Sequence, residues 1–234
     1  MAVLFYVLLC VAVCLACVFV VVQGSQKHPL LNIMLKAFAS LATLILAVYG
    51  GIYSGIITQT TGFLIVVGLG FCLVGDVLLQ LFDMNEEKSK YQIINAGSFS
   101  FMLAHFCFIV SMGLMIQSNS FAIIIPILVG ILIACIIYFM QKPMKLNYNK
   151  STLSILAYSF ALGTSFAFSI SNLIVNGLST FNLLLVVGLV LFFISDLILS
   201  MIYFKEKSNH NLYYLNLSTY YAAIIVIACS MAFV

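Results

Sequence analysis

Two aspartates lie inside otherwise largely apolar stretches of this 234-residue sequence: Asp76 in the run 61–82 and Asp196 in the run 179–204. An ionised carboxylate near the centre of a bilayer costs about 2.5–3.5 kcal/mol even on a lenient insertion scale, so acids in such positions usually mark binding sites or ion paths. The alternative is that the two side chains only form hydrogen bonds between helices. The first interpretation predicts a functional site built around this pair.

The two aspartates stand in similar sequence settings. Each lies eight residues after the Gly of a Gly-Leu pair and three residues before a Leu, the two pairs being Gly68-Leu69 and Gly188-Leu189. Two carboxyl groups that share a water-poor space cannot both ionise without a cost, so one is expected to keep its proton while the other loses it. This division of protonation states is what paired acid–base catalysis requires.

One histidine and one lysine also lie inside the apolar runs. His105 is the only histidine inside such a run. It would either orient an aspartate or a water molecule, or only form a hydrogen bond between helices. Lys36 lies six residues into the second run, close enough for its ammonium group to reach the membrane interface. It either marks the cytoplasmic side of the membrane or binds a phosphate group.

The composition excludes a soluble globular protein. Hydrophobic residues make up 65% of the chain, charged residues 6%, and the mean hydropathy is +1.24, whereas charged residues alone are about a quarter of a soluble domain. Apolar runs of about 20 residues recur, each long enough to span about 30 Å of hydrocarbon as a helix. The alternating segments of a β-barrel are absent. The chain is therefore predicted to be an all-α polytopic membrane protein, and its net charge of +3 is too small to indicate a nucleic-acid partner.

Eight membrane-spanning helices are predicted, and the lysines predict their orientation. The helices cover about 2–22, 30–53, 61–82, 93–116, 120–140, 152–172, 179–204 and 212–233. All nine lysines lie in or beside the first, third, fifth and seventh connections. By the positive-inside rule these odd-numbered connections face the cytoplasm, and both termini face the other side. In a eukaryotic cell the endoplasmic reticulum is the expected membrane.

The positions of the two aspartates predict an internal repeat. Asp76 falls on the third span and Asp196 on the seventh, so both helices run in the same direction. This arrangement predicts a single membrane domain, 1–234, made of two four-helix halves, about 1–116 and 120–234, related by an axis along the membrane normal. Each aspartate precedes its lysine-rich connection by about seven to nine residues, or about 10–14 Å along a helix. The two carboxyl groups are therefore predicted at similar depth.

Several other kinds of site are poorly supported by the sequence. The seven cysteines all lie inside apolar runs and are expected to be small buried hydrophobic residues. The sequence contains no G-x-S-x-G elbow, no H-E-x-x-H motif and no paired-cysteine metal motif, which argues against a serine hydrolase or a zinc protease. No metal and no cofactor are expected.

Four segments occur in a fixed order along the spans. They are Gly75-Asp76 on the third, Gly97 to His105 on the fourth, Ser195-Asp196 on the seventh and Thr219-Tyr220-Tyr221 on the last. Together they resemble the YhhN-type lysoplasmalogenase family of eight-helix membrane proteins, and the likeness extends over nearly the whole chain. Two positions differ from the family pattern: Ala37 stands where Pro is common, and Ala223-Ile224 stands where Gln is common.

The resemblance implies hydrolysis of the vinyl-ether bond of lysoplasmalogens, which releases a fatty aldehyde and a glycerophospho-base. It implies that Asp76 and Asp196 share the acid and base roles, in an order left open, and that His105 orients one of them or the water. Protonation of the outer vinyl carbon would give an oxocarbenium-like cation, as in glycoside hydrolysis by two carboxyl groups. The side chains expected to contact the substrate are Lys36, Ser195, Tyr220 and Tyr221.

Two other functions remain open. A proton-coupled transporter would use the aspartate pair as a relay, and the two halves would give alternating access. A non-catalytic protein would bind a lysolipid without turning it over, an alternative raised by the absent Gln. The expected partners are a lysophospholipid and the surrounding membrane lipids, and a homodimer is left open.

Overall fold

The computed structural model describes residues 2–23, 29–84, 87–116, 119–205 and 210–234, so that Lys27 and Lys207 lie outside the described residues. Eight α-helices account for most of this part of the chain. They are α1 (Ala2–Gln23), α2 (Pro29–Ser54), α3 (Thr60–Gln80), α4 (Glu87–Met115), α5 (Ser120–Met140), α6 (Thr152–Asn176), α7 (Thr180–Phe204) and α8 (His210–Ser230). All eight are long and apolar enough to cross a membrane, which confirms the predicted fold class. The orientation of the bundle in the membrane stays a prediction.

The helices extend beyond the apolar runs that predicted them. Helix α4 begins at Glu87 instead of position 93, and α6 ends at Asn176 instead of position 172. Hydropathy marks only the part of a helix that suits hydrocarbon, whereas the backbone hydrogen bonds continue into the polar ends. At the end of α6, for example, the Asn176 amide donates to the Asn172 side chain at 2.6 Å, which stabilises the last turn.

Neighbouring helices in the chain pack as antiparallel pairs. The closest pairs are α3 with α4, α7 with α8, α5 with α6, and α1 with α2. Contacts of α4 with α6 and of α8 with α2 then join the first four helices to the last four. Most of these contacts in one half have a counterpart in the other. This pattern agrees with the predicted repeat, which itself stays a prediction.

The α3–α4 and α7–α8 pairs depend on matching glycines. A Cβ at Gly68 would lie 3.1 Å from the carbonyl oxygen of Ala104 and 2.5 Å from a side chain of α4. A Cβ at Gly188 would lie 3.2 Å from the carbonyl oxygen of Ala223 and 2.5 Å from a side chain of α8. Small residues of this kind let helix backbones approach closely in membranes. Each aspartate-bearing helix is therefore held to its neighbour at the same relative position.

The cysteines show where the predicted burial was wrong. Cys10, Cys14 and Cys17 on α1 and Cys135 on α5 are exposed, whereas Cys72 on α3 is buried. Helices α1 and α5 are the least buried spans, at the periphery of the bundle. The sequence could not separate the two situations, because the lipid and the protein core are both apolar.

Adding one methyl group at either packing glycine is expected to lower the thermal stability of the detergent-solubilised protein. Gly68→Ala and Gly188→Ala would each cost about 1–3 kcal/mol, the usual effect of overpacking. Gly70→Ala is the matched control, because a Cβ there has no atom within 4 Å. Equal melting temperatures for all three variants would contradict the assigned packing.

Candidate active site

Asp76 lies at the meeting point of α2, α3 and α8, with 1% of its surface exposed. One carboxylate oxygen, Oδ2, accepts hydrogen bonds from Ser40 Oγ at 2.5 Å and from the Tyr220 hydroxyl at 2.7 Å. The other, Oδ1, lies 3.5 Å from the Lys36 ammonium nitrogen. Both oxygens are thus used as acceptors, and one partner is a cation. This environment suits a carboxylate rather than a carboxylic acid.

The geometry of α2 and α8 explains how these donors reach Asp76. Lys36 and Ser40 are four residues apart on α2 and therefore lie on the same face, one turn apart. On α8 the Tyr221 hydroxyl lies 3.3 Å from the Lys36 carbonyl oxygen and 3.4 Å from Ser40 Oγ, so α8 also supports the backbone that carries the donors. Lys36 is 7% exposed. Its ammonium is engaged inside the bundle by Asp76.

Asp196 has a different set of partners. The Tyr158 hydroxyl of α6 donates a hydrogen bond to Oδ2 of Asp196. Within the described ranges the ion pair is that of Lys36 with Asp76, and no cation pairs with Asp196. Asp196 is partly buried, whereas Asp76 is almost fully buried. Of the two carboxyl groups, Asp196 is the one whose surroundings accommodate a proton without displacing a cation.

Two cavities meet at Asp196. The larger has a volume of about 230 Å³ and lies among α3, α4, α5, α6 and α7. Almost all of its wall is apolar, and Tyr158 and Asp196 are among its few polar groups. The smaller cavity, of about 20 Å³, is lined by both aspartates together with Lys36, Ser195 and Tyr220. That volume is sufficient for about one water molecule. Asp196 therefore stands between a hydrocarbon-lined space and a water-sized space, with both polar and apolar side chains in its wall, that it shares with Asp76.

His105 lies in the core and is not part of the wall of either cavity. The side chain is fully buried, and its Nδ1 lies 2.8 Å from Ser165 Oγ on α6. Its ring packs against Tyr158, with 5.7 Å between ring centroids. It is not among the side chains that line either cavity. The structure thus brings His105 to the tyrosine that contacts Asp196 and does not bring it to either aspartate.

Ser195 and Tyr221, both expected to contact substrate, are engaged by the protein itself. Asn216 of α8 donates through its amide to the Ser195 carbonyl oxygen at 2.8 Å and to its Oγ at 2.9 Å. This contact joins α7 to α8 directly beside Asp196. Tyr220 and Ser195 line the smaller cavity, and Tyr221 does not line either cavity.

Two site residues were missed by sequence reasoning, Ser40 and Tyr158. The signal for Ser40 was its position one turn after Lys36 on the same helix face. The signal for Tyr158 was weaker, because a hydroxyl in an apolar helix can also bond to its own backbone. Neither residue could be assigned to an aspartate until the lateral packing of α2 and α6 was known.

The positions that differ from the expected family pattern lie away from both cavities. Ala223 and Ile224 are 0% and 2% exposed, and Ala223 faces Gly188 in the α7–α8 contact. Ala37 follows Lys36 on α2 and does not line either cavity. The apolar residues in place of Gln therefore contribute to helix packing here.

Comparison with known proteins gives one match. The model of the YhhN family matches residues 31–231, which is most of the chain and includes every residue that contacts the two aspartates. No curated protein and no solved structure matches the chain.

Removing the cation beside Asp76 is expected to destabilise the bundle. Lys36→Met leaves a buried carboxylate without its counter-charge, and breaking a buried ion pair from one side typically costs about 3–5 kcal/mol. The double variant Lys36→Met/Asp76→Asn removes both charges and is expected to recover most of that loss. Unfolding of the purified protein by titration with a denaturing detergent measures both. A double variant no more stable than Lys36→Met would show that the two groups are not coupled.

Proposed function

Because this chain belongs to the YhhN family, the lysoplasmalogenase family, we propose that it hydrolyses the vinyl-ether bond of lysoplasmalogens. The family is associated with hydrolase activity. The products would be a fatty aldehyde and a glycerophospho-base, and no cofactor is needed for this chemistry. The observation that carries the proposal is the position of Asp196, which lines both the apolar cavity and the water-sized cavity that it shares with Asp76.

The larger cavity suits the hydrocarbon part of the substrate. Its wall is almost entirely apolar, so an alkenyl chain would displace no strongly bound water. A vinyl ether bound there would lie beside the one carboxyl group that faces this space. The smaller cavity would hold the second substrate, a single water molecule, within reach of the same carboxyl group. The two reactants would thus meet beside Asp196, which lines both cavities.

We assign the proton donor to Asp196. Its carboxylic acid would protonate the outer vinyl carbon, which converts the C=C bond to a C–C single bond and leaves the positive charge shared between the inner carbon and the ether oxygen. The Tyr158 hydroxyl donates to Asp196 and would stabilise the carboxylate that this step creates. The proton donor is therefore supported by a hydrogen bond that strengthens as the reaction proceeds.

Addition of water completes the reaction. The water in the smaller cavity would form a C–O bond to the inner carbon and lose a proton to the Asp196 carboxylate, which restores the acid. The resulting hemiacetal would collapse by breaking the bond to the glycerol oxygen, and the hydroxyl proton would pass to that oxygen. One water is consumed, and the protein ends each cycle in its starting protonation state.

Asp76 would remain ionised throughout and act through its charge. Its two oxygens already accept from Ser40 and Tyr220 and face Lys36, so it is less available as a base than Asp196. A fixed carboxylate across the smaller cavity would stabilise the oxocarbenium-like cation. Lys36 would keep that carboxylate charged and in place. This assignment gives the two aspartates of the repeat different roles.

The protonation step predicts the position of an isotope label. Purified protein in D₂O is expected to release an aldehyde that carries one deuterium on the carbon next to the carbonyl, because the transferred proton comes from an exchangeable carboxyl group. Rapid reduction to the alcohol followed by mass spectrometry measures the label, with ready-made aldehyde as the control for exchange. Uptake of an unchanged lysolipid into proteoliposomes would instead identify a transporter. Binding without turnover would identify a lysolipid-binding protein.

In the same assay Asp196→Asn is expected to lower turnover by at least about 100-fold, the lower range for loss of general acid–base catalysis. Asp76→Asn is also expected to lower it by at least about 100-fold, the lower range for removing one electrostatic contact to the transition state. Asp83→Asn, which changes an aspartate in the connection after α3, is the matched control. Normal aldehyde release from the Asp196→Asn protein would exclude Asp196 as the proton donor.

Tyr158→Phe is expected to lower kcat by about tenfold or more with little change in KM. The lost hydroxyl contacts the carboxyl group rather than the hydrocarbon chain, and a hydrogen bond to a charged group is worth about 1.5–3 kcal/mol. Tyr148→Phe is the control, because Tyr148 lines the same cavity at a distance from Asp196 along the chain. A change in KM alone for Tyr158→Phe would assign the hydroxyl to substrate binding instead.

A further inference from the structure

The connection between α5 and α6 forms a strap over one end of the larger cavity. This strap comprises residues 141–151, and three of its side chains line the cavity: Met144, Leu146 and Tyr148. It is fastened to the end of α7, because the backbone of Leu146 pairs with that of Lys205 and the backbone N–H of Asn147 donates to the Phe204 carbonyl oxygen at 2.9 Å. It is fastened to α4 by Asn149, whose side-chain amide donates to the Tyr91 hydroxyl at 2.9 Å. The strap therefore has a defined position relative to the cavity.

Four exposed lysines lie on the strap or beside it. Lys142, Lys145 and Lys150 belong to the strap, and Lys205 is brought beside it by the pairing with Leu146. In the part of the chain that the structure describes, none of the four forms an ion pair. A group of exposed ammonium groups favours an anion. We call these four residues the lysine rim.

We propose that the lysine rim is the binding site for the phosphate group of a single-chain phospholipid whose reactive bond lies at Asp196. The inference rests on the proposed function and adds to it a phosphate subsite away from the two aspartates. Lys36 is excluded from that role because its ammonium is paired with Asp76 inside the bundle. The rim lysines have no such partner in the described chain and stand where the cavity ends.

The distance from the rim to Asp196 fits the substrate. Lys205 lies nine residues after Asp196, which corresponds to about 13.5 Å at 1.5 Å per residue. Seven bonds separate the phosphorus from the outer vinyl carbon of a lysoplasmalogen, and an extended chain advances by about 1.2 Å per bond, or about 8 Å in all. A phosphate–ammonium contact of about 3 Å and the flexible lysine side chain cover the remainder. A phosphate at the rim and a vinyl carbon at Asp196 are thus compatible.

The hydrocarbon chain of the substrate would reach the surrounding lipid past partly exposed side chains of the larger cavity. Three of the cavity-lining side chains, Ile136 and Met140 on α5 and Leu197 on α7, are 49%, 41% and 39% exposed. Helix α5 packs mainly against α6, so the cavity is open to the surface between α5 and α7. A lysolipid in the leaflet on the side of the lysine rim would keep its phosphate at the rim and the far end of its hydrocarbon chain among the bilayer tails.

A pair of substrates tests the rim. The first is a lysoplasmalogen, and the second is the corresponding 1-alkenylglycerol, which has the same vinyl ether and no phosphate. The variant Lys145→Gln/Lys205→Gln is expected to raise KM for the first by about tenfold, the change that about 1.4 kcal/mol produces, with kcat unchanged. KM for the second is expected to change by less than about twofold, since each factor of two is only a few tenths of a kcal/mol.

The matched control is Lys27→Gln, which removes a lysine of the connection between α1 and α2, predicted on the same side of the membrane as the strap. It is expected to leave both KM values unchanged. Equal effects of the two variants on the lysoplasmalogen would mean that only general surface charge matters, and would overturn the proposal. An equal loss for both substrates in the rim variant would also overturn it, because the lysines would then support the fold rather than the phosphate.

A binding measurement separates this inference from the proposed hydrolysis. A lysophospholipid with a saturated ether chain cannot be protonated at a vinyl carbon, and its binding is followed by thermal stabilisation of the protein. Loss of that stabilisation in the rim variant, with an alkylglycerol unaffected, supports the phosphate subsite even if no vinyl ether is cleaved. Stabilisation by inorganic phosphate equal to that by the lipid would assign the lysines to free phosphate and overturn the lipid subsite.

Discussion

The buried ion pair of Lys36 with Asp76 is the contact on which the rest of the site depends. A carboxylate in the interior of a membrane bundle is expensive unless a cation and hydrogen-bond donors surround it. Here the cation and Ser40 come from α2, and Tyr220 comes from α8. Three helices from distant parts of the chain are therefore fixed around one carboxyl group. The same packing sets the position of the smaller cavity.

The two aspartates illustrate how matching surroundings in sequence can give different chemistry in space. Each follows a packing glycine by eight residues, and both line one water-sized cavity. Asp76 faces an ammonium group, whereas Asp196 faces a phenol and an apolar cavity. Carboxyl groups whose environments differ in this way take different protonation states, which is the requirement for an acid and a fixed charge in one site.

The bundle also contains two cavities of different character, and the boundary between them is at Asp196. Mostly apolar side chains enclose the larger cavity, whereas the smaller one has polar groups of α2, α3, α7 and α8 beside apolar side chains such as Phe101 and Leu217. The proposed reaction between a hydrocarbon-bound vinyl ether and water would need both cavities within hydrogen-bond reach of one proton donor. Tyr158 and Asp196 form that boundary. His105 packs against Tyr158 in the core and does not line either cavity.

The sequence by itself determined the eight spans and the two aspartates that lie inside them, because hydropathy acts along the helix axis. It did not determine which partners the aspartates have, that Lys36 is buried or that His105 is set back from both carboxyl groups. Those facts depend on the rotation of each helix about its axis. In a membrane the lipid-facing and core-facing sides are both apolar, so the residue pattern carries little information about that rotation. Only the tertiary packing of α2, α6 and α8 decided it.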